Sequence, residues 1–184
     1  QTAPPACTNP TINLPPLING DHAVLISGMA APGATVVLFQ RTYGTPNYVQ
    51  AATVTADSSG AYSFTRWENI QRTYYTQVGS CLSPVKLIQV RVVVHAGVTS
   101  PSRGTLVIHV VTGPPQPGRD VRIYRDTNGT LTPVFFGPLG AAGQIYVTLH
   151  GYPAGALEKF LAVVYAAPGL LNGASPLAGG FVHS

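Results

Sequence analysis

Charge is scarce in this chain: of 184 residues, ten are Lys or Arg and six are Asp or Glu. Eight of the ten basic residues are Arg, four of them (Arg103, Arg119, Arg122, Arg125) near the start of the second half. A net charge of +4 is small beside a nucleic-acid footprint, and the stacked aromatics of a single-strand binder are missing, so nucleic acid is not expected as a partner. Long apolar runs are also missing. None approaches the roughly 18 residues of a spanning helix, and the longest strongly apolar stretch, Val85 to Val94, is broken by Lys86, Gln89 and Arg91. The expectation is a soluble chain without a membrane span, whose uncharged surface favours self-association into a homo-oligomer or fibre. With 45% hydrophobic residues, the charge-rich signature of disorder is absent as well.

Recognisable chemistry is equally thin. The six carboxylates, Asp21, Asp57, Glu68, Asp120, Asp126 and Glu158, form no pair set up for acid–base work and read as solvated or turn-capping groups. His22, His95, His109, His150 and His183 are scattered, and no Gly-x-Ser-x-Gly nucleophile motif occurs. Asp126-Thr127-Asn128-Gly129-Thr130 has the look of a calcium loop but lacks the remaining oxygen ligands and the closing Glu. No catalytic residue, metal or cofactor is expected, and the chain does not read as an enzyme.

What is present is repetition. Ala23 to Gly44, AVLISGMAAPGATVVLFQRTYG, returns as Ile108 to Gly129, IHVVTGPPQPGRDVRIYRDTNG, each residue carried onto the other by adding 85 without a gap. Leu25/Val110, Ile26/Val111, Gly28/Gly113, Pro32/Pro117, Gly33/Gly118, Val36/Val121 and Leu38/Ile123 are among the matched pairs. Such self-similarity implies two copies of one unit. In each copy an apolar β-branched run meets a Pro-Gly turn and a second run alternating in period two, which predicts strand, turn, strand. Farther on, Gly143-Gln144-Ile145-Tyr146-Val147 stands for Gly60 to Phe64, and Ser175-Pro176-Leu177 stands for Ser83-Pro84-Val85, leaving Ala167 to Ala174 as an insertion before the last strand.

In chain order, residues 1–16 form an extended arm in which Pro4, Pro5, Pro10, Pro15 and Pro16 forbid helix. Within it Thr11, Ile12, Asn13 and Leu14 are candidates for an edge strand that extends a neighbour's sheet. Residues 17–96 then give about seven short strands with regular turns, the last spanning Val85 to His95; residues 97–104 read as a linker, and 105–184 repeat the order. This is the pattern of an all-β protein with two tandem immunoglobulin-like β-sandwich domains behind a Pro-rich arm. Cys7 and Cys81 read as one disulfide tying the arm to the first domain; two buried thiols are the other reading. The start Gln-Thr-Ala-Pro-Pro-Ala resembles a mature N-terminus after signal removal, and a secreted or cell-surface location is expected.

The stretch Thr55 to Phe64, TADSSGAYSF, together with SGMAAPGATVVLF, resembles the bacterial Ig-like domains that occur in tandem on secreted and cell-surface proteins. It is also similar to transthyretin-like or carboxypeptidase-regulatory-like sandwiches, whose Asp-x-x-Gly-x-Tyr turn is matched by Asp57, Gly60 and Tyr62. The second domain departs from it, with Gly140-Ala141-Ala142-Gly143-Gln144-Ile145 at those places. The resemblance implies adhesion, spacing or fibre building rather than one chemistry. Two roles follow: a non-enzymatic structural subunit of an extracellular fibre, or an adhesion module for a glycan or host surface protein. For the second, Tyr43 and Tyr48, which flank a Gly/Pro loop, are the candidate ligand-contact aromatics, whereas Tyr62, Phe64 and Trp67 are expected in the core. Asn128-Gly129-Thr130 fits an N-glycosylation acceptor.

Overall fold

The computed structural model describes residues 8–184, and all the named elements are strands. The chain divides into two compact units, Gln1–Val90 and Arg91–Ser184. The first holds β1 (Leu17–Asn19), β2 (His22–Met29), β3 (Thr35–Thr42), β4 (Val49–Thr55), β5 (Ala61–Glu68), β6 (Arg72–Val78), β7 (Cys81–Leu82) and β8 (Lys86–Arg91), whose last residue crosses the boundary. The second holds β9 (Val93–Ser102), β10 (Thr105–Gly113), β11 (Asp120–Thr127), β12 (Thr130–Pro138), β13 (Gln144–His150), β14 (Leu157–Val164), β15 (Gly173–Ala174) and β16 (Ala178–Phe181).

Each unit is two sheets around one core. In the first, the order β1-β8-β6-β3-β4, with β7 also on β6, faces the pair β2-β5; in the second, β12-β11-β14, with β15 and β16 both on β14, faces β13-β10-β9. Period-two alternation builds the core: Val36 and Leu38 of β3 are fully buried, as are their counterparts Val121 and Ile123 of β11. In the second unit one apolar cluster joins Leu106, Ile108 and Val110 of one sheet to Ile123, Phe160 and Val164 of the other. Each such side chain stabilises by about 1.5–3 kcal/mol on burial.

Strands β2 to β8 correspond in order to β10 to β16, but the gapless match breaks at the first turn. Ala30 N–H donates to Gly60 C=O and Thr112 N–H to Gly143 C=O, so Ala30 and Thr112 are equivalent, whereas Gly33 N–H to Ala56 and Gly118 N–H to Leu139 make Gly33 and Gly118 equivalent. The second turn therefore holds three extra residues. Being odd, this number reverses which face each residue of the preceding strand presents. Leu25, matched by letters to Val110, is 59% exposed while Val110 is 0%; Ile26 pairs with Phe64 as Ile108 pairs with Val147. In the longer turn, after the cis bond Gly113–Pro114, the buried Gln116 donates to the carbonyls of Pro114 and Pro115 and accepts from Ala167 N–H.

The expected linker is corrected too. Residues 97–102 complete β9, which pairs with β10 from Val93 opposite Gly113 to Ser102 opposite Thr105. The expected strand from Val85 to His95 is two strands, ending and restarting around Val92. Val90, Val92 and Val94 are all buried, so alternation runs through the junction unbroken, while Val92 and Val94 belong to the second core.

Candidate interaction surface

The proposed assembly segment is not free. Thr11 N–H donates to Met29 C=O at 2.9 Å, and Asn13 and Ser27 exchange backbone hydrogen bonds at 2.7 and 2.9 Å. Ile12 is buried between them in sequence, and Leu14 leads through Pro15 into Pro16, whose carbonyl accepts from Gln89 N–H. Thr11 to Leu14 thus serve their own sandwich, because Ile12 is part of its core. Residues 1–7 of the arm, Cys7 among them, lie outside the described residues; Cys81 is buried at the start of β7.

Tyr62 fixes this segment. Its hydroxyl donates to Thr11 C=O and meets Thr76 Oγ1 at 2.9 Å, and burial raises its pKa, opposed by the Thr76 hydrogen bond. A Cβ on Gly28, opposite Tyr62, would lie 2.0 Å from Thr11 O and 2.4 Å from the Tyr62 hydroxyl. Glycine is there for close approach. In the second unit the equivalent pair is Val110 opposite Ile145, which redistributes the volume.

The Asp-x-x-Gly turn is built as its letters imply. Asp57 Oδ1 accepts from Ser59 N–H at 2.8 Å, Ser59 Oγ at 2.6 Å and Ala61 N–H at 3.0 Å, and the Ser59 hydroxyl leads in holding its pKa below the usual value. The second unit makes the same backbone bonds, Gly140 N–H to Gln144 C=O and Gly143 N–H to Gly140 C=O, without a carboxylate.

Two of the six carboxylates contradict the solvated reading. Glu68 is wholly buried: Arg72 donates to it at 2.7 Å, and the Tyr74 hydroxyl donates to its other oxygen. Burial, then the Glu68 contact, drives the Tyr74 pKa well above the usual phenol range. Glu158 takes a bidentate pair from Arg125 at 2.6 and 2.8 Å, with the guanidinium 5.1 Å from the Tyr152 ring centroid. Nothing in the local sequence marks the second pair, since Arg125 and Glu158 are far apart along the chain.

Tyr43 and Tyr48 part company. Tyr43, 47% exposed, lines a cavity of about 120 Å³ with Arg41, Gln71 and Arg72, well below the roughly 300–1,000 Å³ of small-molecule sites. Tyr48 packs edge-on against Tyr75 at 4.9 Å, beneath Arg41 at 5.0 Å, and Tyr75 stacks on Phe39 at 5.0 Å. Tyr48 is consequently part of a packed cluster rather than a free platform. Trp67 is corrected: Tyr62 and Phe64 point inward, but Trp67 is on the opposite parity of β5 and 60% exposed. Asn128, at φ 52° in the β11–β12 turn, is exposed. Among the described residues no three His, Cys, Asp or Glu side chains gather as a metal site.

No family model and no curated protein matches the chain. Among solved structures, the chain is similar to the chicken interferon gamma receptor alpha chain with a TM-score of 0.60 at 10% identity, covering 97% of this chain and 100% of that one. A tetra-tandem repeat from the extending region of a large adhesion protein aligns at TM-score 0.41 and 17% identity over 95% of this chain; the chain spans about half, 49%, of that structure. The human OSCAR ligand-binding domain aligns at 0.34 and 16%, covering 96% of this chain and 99% of that one. Together with the sheet orders above, the first likeness defines the class: an all-β protein of immunoglobulin-like sandwich units.

Proposed function

We propose that this chain is a secreted, non-enzymatic structural protein, a self-assembling subunit of an extracellular fibre or surface structure. The observation that carries this reading is the exposure of large rings on both units: Trp67 at 60%, Phe136 at 57%, Tyr146 at 63% and Phe181 at 70%. Rings of this kind are enriched at interfaces, and a chain with 9% charged residues has little repulsion to keep copies apart. Electron microscopy of the native material is expected to show ordered polymers; uniformly monomeric particles would end the reading.

Tyr43, exposed beside Arg41 and Arg72, supports a second reading as an adhesion module for a glycan or host protein. A glycan array signal that disappears with Tyr43→Ala is its test, and a silent array counts against it. We also assign Cys7 as the disulfide partner of Cys81, and Asn128 as the acceptor in a host that glycosylates Asn-x-Thr. Intact mass before and after reduction, and after deglycosylation, checks both.

A further inference from the structure

Self-assembly leaves open which surfaces join, and any pairing of strand edges between copies rests on that proposed function. At one side of each sandwich two strands end their sheets, β4 and β5 in the first unit and β12 and β13 in the second. Among the described residues no strand pairs with the outer edge of any of the four. Such an edge presents N–H and C=O groups that invite another strand unless it is blunted.

The two copies blunt opposite edges. β12 carries Pro133 opposite Tyr124 and Pro138 opposite Asp120. The equivalent places in β4 are Gln50 opposite Phe39 and Thr55 opposite Thr35, and β4, VQAATVT, holds neither proline nor charge. With β5 and β13 the situation reverses. β5 contains Arg66 and the buried Glu68, and inward-pointing charge is a known protection. β13, QIYVTLH, has Leu149 where β5 has Arg66, and no Asp, Glu, Lys or Arg.

Each unit therefore keeps one open edge, and the two open edges are of equal length, seven residues. Ala56 N–H donates to Ala34 C=O, so alternation turns the backbone of Val54 toward β3 and that of Thr53 and Thr55 outward. Thr112 N–H donates to Gly143 C=O, which likewise turns Tyr146 and Thr148 outward from β10. On the solvent face the side chains are complementary in size: Ala51 and Thr53 of β4 are small where Tyr146 of β13, 63% exposed, is large, while Ile145 and Leu149 pack on their own core. Aromatic and β-branched residues facing across strands stabilise such pairs.

We infer that the outer edge of β4 in one copy pairs antiparallel with the outer edge of β13 in a second copy. The contact joins two different surfaces, so each copy keeps one of each to offer, and addition continues head to tail.

The test uses the full chain with one edge blocked at a time. Gln50→Pro with Thr55→Pro gives β4 the prolines that β12 holds in the same register, and Thr53→Lys is the alternative if that variant fails to fold by circular dichroism. Thr148→Lys blocks β13. By light scattering, each variant alone is expected as a 19.2 kDa monomer, and an equimolar mixture as a dimer of twice that mass that grows no further. A blocked variant that dimerises alone, a variant that polymerises like the parent, or a mixture that stays monomeric overturns the pairing. If the parent itself is monomeric, the assembly reading falls with it; if the parent and both variants polymerise, only this pairing falls.

Discussion

One hydroxyl explains a buried charge. Tyr74 and Phe160 hold equivalent, fully buried places on β6 and β14, but only Tyr74 brings a polar atom that needs a partner, and Glu68 with Arg72 supplies it. Removing one member of a buried set leaves the others unpaired. Glu68→Ala is expected to destabilise the first unit by about 3–5 kcal/mol, and Tyr74→Phe by only about 1–2 kcal/mol, in urea unfolding. Asp57 yields a pH prediction. Its folded pKa is depressed below 3.8, so its contribution is present above that value and is lost as pH falls through the lower folded value. Between about pH 4 and pH 2 the parent should lose more stability than Asp57→Ala, as read from acid unfolding curves; parallel curves would refute it. Asp57 was legible from its letters because its partners lie within four residues, whereas Glu68 and Glu158 were not, because burial depends on strand parity and, for Glu158, on a distant Arg.

At the scale of elements, strand content was legible wherever a turn signal bounded a clean alternation, as in β3 and β11. It failed where two effects hid each other. The letters Ser27-Gly28 and Thr112-Gly113 aligned by composition, yet three extra residues in the second turn moved them out of equivalence. Residues 97–104 looked like a linker because small and polar residues occupy the open face of β9. The volume exchange between strands is testable. Gly28→Val alone forces a side chain into Thr11 and Tyr62 and is expected to cost about 1–3 kcal/mol or more. Adding Tyr62→Ile recreates the pair found in the second unit and should recover part of that loss, so that the double variant is more stable than the sum of the singles. Strictly additive unfolding energies would refute the equivalence.

For the whole molecule, duplication was readable in outline and the division of labour between copies was not. Letters report turns and core; whether an edge is covered depends on partners remote in sequence, as Thr11 to Asn13 show by covering part of β2. The proposed Cys7–Cys81 bridge would close most of the first unit into a loop, and its loss in Cys7→Ser is expected to cost about 4–5 kcal/mol in the chain-entropy account, measured as a lowered urea midpoint under non-reducing conditions. The claim on which function depends is that exposed rings and sparse charge bring copies together. Sedimentation equilibrium of the purified chain over a concentration series reads this out: the weight-average mass is expected to climb above 19.2 kDa as concentration rises, and a single species of that mass at every concentration would refute self-association.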